Sequence, residues 1–365
     1  IQYYVLKGSG LDISSAFLVH INNQYVRQGS LEVDKLFSFA DLTETVIEAQ
    51  NEVVDELGTI REVLNGGEPE IEIGVHCDKP YECDFKAHCW PDEILNGYTV
   101  FNISGLHDSK KFELYESGIT KVEDVPDKFS LSGKQRLQVE TELSGEEIVD
   151  LEQINKFLND LYYPLYFLDF ETFTQAVPEW DRLRPYQNIP FQYSIHLIER
   201  EGEDPSHLEY LADESSDPRR GLVDRLIRDI PEGACVLAYN KSFEKRVVRD
   251  LAQQFPGYSD HLMDIHNNML DLMIPFQKKH YYKKEMKGRY SIKAVLPALT
   301  SDSPYSKMGI NEGMEASNNY KNLPSITDLA KREEIKKDLK VYCKQDTQSM
   351  VDVLECLKTV VLRSR

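Results

Sequence analysis

The spacing of apolar residues changes character along the chain, and each change predicts a different kind of element. Residues 2–6 read as a helical stretch and residues 16–21 as a strand. Over residues 37–64, Val46, Ile47, Val53, Val54, Leu57 and Ile60 recur at mixed three- and four-residue steps, which predicts one helix ending at Gly66-Gly67. Residues 96–160 break into short helical patterns joined by turns, including 112–118 and 146–161. From residue 163 onward, short apolar runs alternate with helix-period segments, the signature of a sheet with helices packed on it. Strands are predicted at 163–173, 191–199, 208–212, 235–239 and 269–274, and helices at 219–230, 242–254 and 332–357. The expected fold class is therefore α/β: a partial α/β unit (1–95), a helical connector (96–160), and a mixed sheet with flanking helices (161–365). There is no internal repeat.

Composition narrows the function classes. The 365 residues are 41% hydrophobic and 28% charged, as in globular proteins, and no apolar run approaches the ~20 residues that span a bilayer. Sixty-two acidic residues against 42 basic ones give a formal net charge of -20, which opposes non-specific adhesion to nucleic acid or anionic membranes. A nucleic-acid partner has to be met locally or through bound cations. The chain starts at Ile1 with no basic leader, so a truncated amino terminus and a cytoplasmic location are expected. The six cysteines are then expected as thiols or ligands, not as a disulfide framework.

The apolar run at 163–173 carries two acids near its carboxyl end, Asp169 and Glu171. Alternation along a strand puts both on one side, where they can grip one ion. The bland alternative is a strand end emerging into solvent. Two further acids stand in suggestive contexts. Ala238-Tyr-Asn240-Lys-Ser-Phe-Glu244 leads from a strand into the first turn of a helix, with Asn240 placed to cap it. Tyr342-Cys-Lys-Gln-Asp346 spaces a phenol and an acid four residues apart, on one helix face. Asp271, at the end of another predicted strand, reads as structural or as an acid behind the site.

Leu168-Asp-Phe-Glu-Thr172, Ala238–Glu244 and Tyr342–Asp346 resemble, in order, the three motifs of the DnaQ-like 3'-5' exonucleases, the DEDD group in its Tyr form. The family usually has Asp where this chain has Glu244. The resemblance implies a ribonuclease H type fold, hydrolysis of DNA or RNA, and two Mg²⁺ or Mn²⁺ ions held by Asp169, Glu171, Glu244 and Asp346, with Tyr342 orienting the attacking water. Two ions about 3.5–4 Å apart suit that chemistry, because they neutralise the phosphoryl oxygens and activate water together. A catalytically degenerate protein that binds nucleic acid without cutting it is the alternative, and a purely structural role is a third.

Between Gln277 and Lys293 seven Lys or Arg oppose the single Glu285. Lys283, Lys284, Lys287, Arg289, Tyr290 and Lys293 are the expected nucleic-acid contacts, through phosphate neutralisation and base stacking. A solvated loop offsetting nearby acids is the competing reading. Cys77, Cys83 and Cys89 can converge on one metal, with His76 or His88 completing zinc or an upstream cysteine completing a [4Fe-4S] cluster. This spacing resembles the iron-sulfur nucleases related to RecB and AddB. Residues 1–75 likewise resemble the tail of a PD-(D/E)XK core, with Gln2 on its helix and Leu6 where that family has Tyr. The whole arrangement resembles a bacterial family of uncharacterised proteins. Gly118-Ile119 resembles the turn of helical hairpins that meet a DNA backbone through main-chain amides, or else belongs to a plain connector.

Overall fold

The computed structural model describes residues 1–301 and 304–363, which divide into two compact units. One comprises Ile1–Cys77 with Thr174–Gln187, the other Asp78–Phe173 with Asn188–Arg365. Residues 96–160 lie within the second unit.

In the first unit, β1 (Phe17–Ile21) and β2 (Phe37–Asp41) form an antiparallel pair in which Phe17 faces Asp41 and Ile21 faces Phe37. The single helix expected over 37–64 is thus a strand followed by two helices, Thr43–Glu48 and Gln50–Asn65. Phe37-Ser-Phe-Ala-Asp41 is used at a period of two, and Asp41 ends it by accepting from the Thr43 N–H at 2.9 Å and the Thr43 hydroxyl at 2.6 Å. Segment 174–187 joins this unit through Arg27, whose guanidinium donates to the carbonyls of Pro178 (2.8 Å) and Glu179 (2.7 Å).

The second unit is mixed α/β. A short pair, β3 (Ile148–Val149) and β9 (Tyr281–Tyr282), replaces the start of the helix expected at 146–161, and Asp150 caps the remaining helix, Leu151–Asn159, by accepting from the Gln153 N–H at 3.1 Å. The main sheet has five strands: β4 (Leu165–Phe173), β5 (Ile189–Ile198), β6 (Ser206–Leu211), β7 (Cys235–Ala238) and β8 (Met269–Asp271), in the order β6-β5-β4-β7-β8. Pairs β4–β5 and β5–β6 are antiparallel, and β4–β7 and β7–β8 are parallel. The strand expected to reach residue 274 stops at Asp271, because the next residues turn into the helix Ile274–Gln277.

Helices Pro218–Asp229, Lys241–Gln254 and Ser259–Asn267 supply one core with the sheet, around Leu168, Tyr193, Leu222, Val236, Val247 and Leu262. Each such side chain contributes about 1.5–3 kcal/mol by leaving water. Both long helices meet the sheet through stripes at helical spacing. Glu244, Val247, Val248 and Leu251 form one; Leu339, Tyr342, Cys343, Thr347 and Met350 form the other, on Leu329–Arg363. The polar members of those stripes face inward with the apolar ones. Gln192 secures the second helix by donating to the Leu339 carbonyl at 3.0 Å, and Thr347 bonds both Ser194 (2.7 Å) and His196 (2.8 Å) of β5.

The connector residues have a smaller core of their own, around Val100, Ile103, Leu114, Val122 and Val139. The fully buried Gln138 ties this part to the basic segment: it accepts from the Ser104 N–H (3.0 Å) and the Lys279 ammonium (3.4 Å) and donates to Tyr98 and Asn102. No helix of the described residues is long and apolar enough to cross a membrane.

Candidate functional site

Two parallel strands, β4 and β7, end at the same edge of the sheet, where α/β proteins concentrate their chemistry. Strand β7 pairs with β4 only as far as Phe167, so Asp169 and Glu171 project beyond its last residue. The turn after β7 delivers Glu244 to the same place, and the inward stripe of the carboxy-terminal helix delivers Asp346. Among the described residues, the ligand atoms of Asp169, Glu171 and Cys343 all lie within 4.8 Å of one another, a donor set able to hold a metal ion. Asp346 and Glu244 stand outside that tight group, yet their charges raise the carboxyls of both Asp169 and Glu171.

Burial is the first cause of those shifts. It pushes Asp169 and Glu171 well above the usual carboxylate range, and repulsion by Asp346 adds to it in both cases. Glu244 is pushed up to about 8, by burial first and by Asp271 in addition, while a backbone hydrogen bond opposes the rise. Asp346 is pushed up to about 6 by burial, held back by the Tyr305 hydroxyl, by the Lys293 charge and by Tyr342. Glu171 and Glu244 are only 7% and 3% exposed, and Glu244 Oε2 has no hydrogen-bond partner. An unpaired oxygen on a buried acid is costly, and here it stands among other acids.

Tyr342 does reach the cluster. Burial and the three neighbouring acids Asp346, Glu171 and Asp169 drive its hydroxyl far above the ordinary phenol range, so it remains protonated. Lys293 donates to it at 3.3 Å and also to the Asn311 carbonyl. The sequence pattern singles out neither of two further participants. The Tyr305 hydroxyl donates to Asp346 Oδ1 at 2.7 Å, and the Cys343 thiol donates to Asp169 Oδ2 at 3.8 Å. Cys343 lies on the helix's inward stripe beside Tyr342, and that periodic position was the available signal. Tyr305 carries none, because its placement depends on a distant turn, Pro304–Lys307.

The second motif differs from expectation in its capping. Asn240 occupies the N-cap position with a left-handed backbone (φ 71°, ψ 59°), but its side chain caps nothing. Asp271 does that work instead, accepting from the backbone N–H groups of Asn240 (3.0 Å), Lys241 (3.2 Å) and Met273 (3.0 Å). Asp271 thereby fixes the helix start that carries Glu244. Replacing Asp271 by alanine strands those donors, so a loss of about 2–3 kcal/mol is expected in denaturant unfolding, with a smaller m-value change than a loss of the whole unit would give.

The basic segment is anchored at several points. Tyr281 and Tyr282 are buried, which removes them as stacking platforms, and Lys279 is buried over the Tyr282 ring at 3.9 Å. Lys283 pairs with Glu147 at 3.5 Å, as the offsetting reading anticipates for that residue. Lys284, Lys287 and Arg289 are exposed, and the Tyr290 carbonyl accepts from the Tyr239 hydroxyl at 2.6 Å. Lys293 alone of the six stands at the acids. In the connector, the amides of Gly118 and Ile119 bond to the carbonyls of Tyr115 (2.8 Å) and Leu114 (2.9 Å), which commits them to ending a helix and not to a DNA backbone. Cys83 and Cys89 are exposed thiols in the second unit, and Cys77 is a buried thiol that closes the first.

Residues 166–291 match a family described as "Domain of unknown function (DUF2779)". A stretch of 220 residues, 53% of this chain, is 26% identical to the Uncharacterized protein UU173 of Ureaplasma parvum serovar 3. That match spans 31% of the relative, so the chain covers about a third of its length. No solved structure matches. The family match takes in Asp169, Glu171 and Glu244 and ends before Tyr342 and Asp346.

Proposed function

We propose that this chain is a metal-dependent 3'-5' exonuclease acting on the phosphodiester bonds of DNA or RNA, built on a ribonuclease H-like sheet. One observation carries the reading: four acids from three separate elements meet at one edge of the sheet, where burial opposes the ionisation of all four and repulsion by Asp346 and Glu244 adds to it at Asp169 and Glu171. Such a cluster is costly without a cation. A central strand with antiparallel neighbours on one side and parallel ones on the other supports the fold assignment.

The residues fit a hard divalent cation. Asp169, Glu171, Glu244 and Asp346 offer carboxylate oxygens of the type that Mg²⁺ and Mn²⁺ prefer, and the unpartnered Glu244 Oε2 is an oxygen in want of a positive partner. Glu244 thus suits the role that the usual Asp would have in the donor set. When bound, a pair of such ions would supply charge neutralisation at the phosphoryl oxygens and a more acidic water. The chain's own contributions are positional. Tyr342, kept protonated, donates a hydrogen bond and does not remove a proton. Lys293 brings positive charge to the rim of the acids, and Lys284, Lys287 and Arg289 are exposed to meet strand phosphates. No part of the proposed reaction passes through Cys77, Cys83 or Cys89.

The direct test is a 5'-labelled single strand, DNA and RNA in parallel, incubated with the protein and Mn²⁺. Stepwise shortening from the 3' end that chelator stops is the expected result. Retention of the strand in Mn²⁺ without shortening would replace the enzyme by the degenerate binder.

A further inference from the structure

Cys343 is fully buried, and it stands inside the acidic cluster with its sulfur 3.8 Å from Asp169 Oδ2. Its sulfur and one oxygen each of Asp169 and Glu171 lie within 4.8 Å of one another. Ligands on one tetrahedral zinc, about 2.3 Å from it for sulfur and 2.0–2.2 Å for carboxylate oxygen, stand roughly 3.3–3.7 Å apart, so the 3.8 Å Cys343–Asp169 pair is already near ligand separation and the 4.8 Å limit leaves Glu171 a short approach to the same ion. A second observation points to a ligand there. The carboxyl of Glu244 is buried, its Oε2 has no partner, and its charge acts on both Asp169 and Glu171.

An oxygen-only site discriminates poorly against whichever divalent ion is abundant, whereas a thiolate favours soft and borderline ions over Mg²⁺. We propose that Cys343 is a metal-selecting residue: with Asp169 and Glu171 it forms a sulfur–oxygen donor set that takes zinc, cobalt or cadmium in competition with the oxygen-bound ions. This rests on the metal-site reading above and adds the identity of the competing ion. As the metal–sulfur bond forms, the S–H bond breaks and its proton leaves to water, with no change of oxidation state. Occupied in this way, the site has lost Asp169 and Glu171 to the wrong geometry, so zinc acts as an inhibitor of Mg²⁺- or Mn²⁺-supported hydrolysis.

The experiment uses the full chain with Co²⁺ as the optical probe. The Cys77→Ser/Cys83→Ser/Cys89→Ser variant removes the thiols of the front cluster, and in it a sulfur-to-cobalt charge-transfer band in the near ultraviolet is expected. Adding Cys343→Ser, or separately Asp169→Asn, is expected to abolish the band, and Cys343→Ser to weaken Zn²⁺ binding by about tenfold or more. X-ray absorption of zinc in the triple variant gives a reading independent of how well the Cys343 variant folds: one sulfur neighbour supports the proposal, and oxygen and nitrogen neighbours alone overturn it. A cobalt band that survives Cys343→Ser overturns it as well. Mn²⁺-dependent shortening without any cobalt–sulfur band refutes the metal selection and leaves the exonuclease standing. A band without shortening does the reverse.

Discussion

Asp169→Ala is expected to lower metal-dependent strand shortening by a factor of ~10³ or more, equivalent to about 4 kcal/mol of transition-state stabilisation. Asp169 is the acid on which the rest of the cluster bears, raised first by burial and then by Asp346, Glu171 and Glu244, and bonded by Cys343. Its removal takes an oxygen from the centre of the donor set. The same substitution deletes a half-buried acid that its neighbours repel, so thermal stability in chelator is expected to stay level or rise. That split separates a site residue from a structural one. An ordinary buried acid held by partners loses stability on truncation and leaves turnover per folded molecule unchanged. Time courses of shortening by wild type and variant at matched folded concentration, with melting curves alongside, decide the matter. Equal rates would remove Asp169 from the chemistry.

The second large effect is the joint dependence of stability on pH and on divalent cation. In the cation-free protein burial pushes Glu244 up to about 8 and Asp346 up to about 6, against ordinary values of 4.5 and 3.8. The unfolded chain gives up these protons near pH 4, whereas the folded chain keeps them to higher pH. Stability therefore falls as pH rises from about 4 towards 8, and the cost is complete above the folded values. Below pH 4 both states are protonated and the cost vanishes. A cation bound only by the folded state opposes this, by about 2.7 kcal/mol at a concentration one hundred times its Kd. For a unit of this size that is roughly 5–10 °C in Tm. Melting curves at pH 5 and pH 8 should show a lower Tm at pH 8 in chelator, and a Mn²⁺-induced rise that is much larger at pH 8 than at pH 5. A rise equal at both values would mean that Mn²⁺ binds elsewhere.

Much of this site could be read from the chain because its acids lie on elements with strong local signatures. The apolar run of β4 and the inward stripes of the Lys241–Gln254 and Leu329–Arg363 helices announce themselves by period. Topology does the rest, since a parallel pair brings β4 and β7 to the same edge. What escaped the sequence depends on long-range pairing or backbone conformation. Phe37–Asp41 pairs with β1, and only that partner selects a strand over the helical pattern that follows. Asn favours the cap position, but Asn240 has a left-handed backbone and its side chain caps nothing, while Asp271, 31 residues on, takes the bonds. Tyr305 reaches Asp346 from a turn with no periodicity of its own. Lys293 was grouped with the basic segment by composition, and only the tertiary structure separates it from Lys284, Lys287 and Arg289 by setting it against Tyr342. Net charge was informative in a coarser way. A chain with formal charge -20 that is to hold a polyanion has reason to keep a dense acid cluster neutralised by cations.

The proposed chemistry requires a cation held between Asp169, Glu171, Glu244 and Asp346. Anomalous diffraction from crystals of the full chain soaked in Mn²⁺ tests it most directly. At least one strong manganese peak within coordinating distance of Asp169 and Glu171, absent from Asp169→Ala crystals grown the same way, is the predicted result. Manganese bound elsewhere while these four acids stay unliganded, in a protein that still shortens strands, would contradict it.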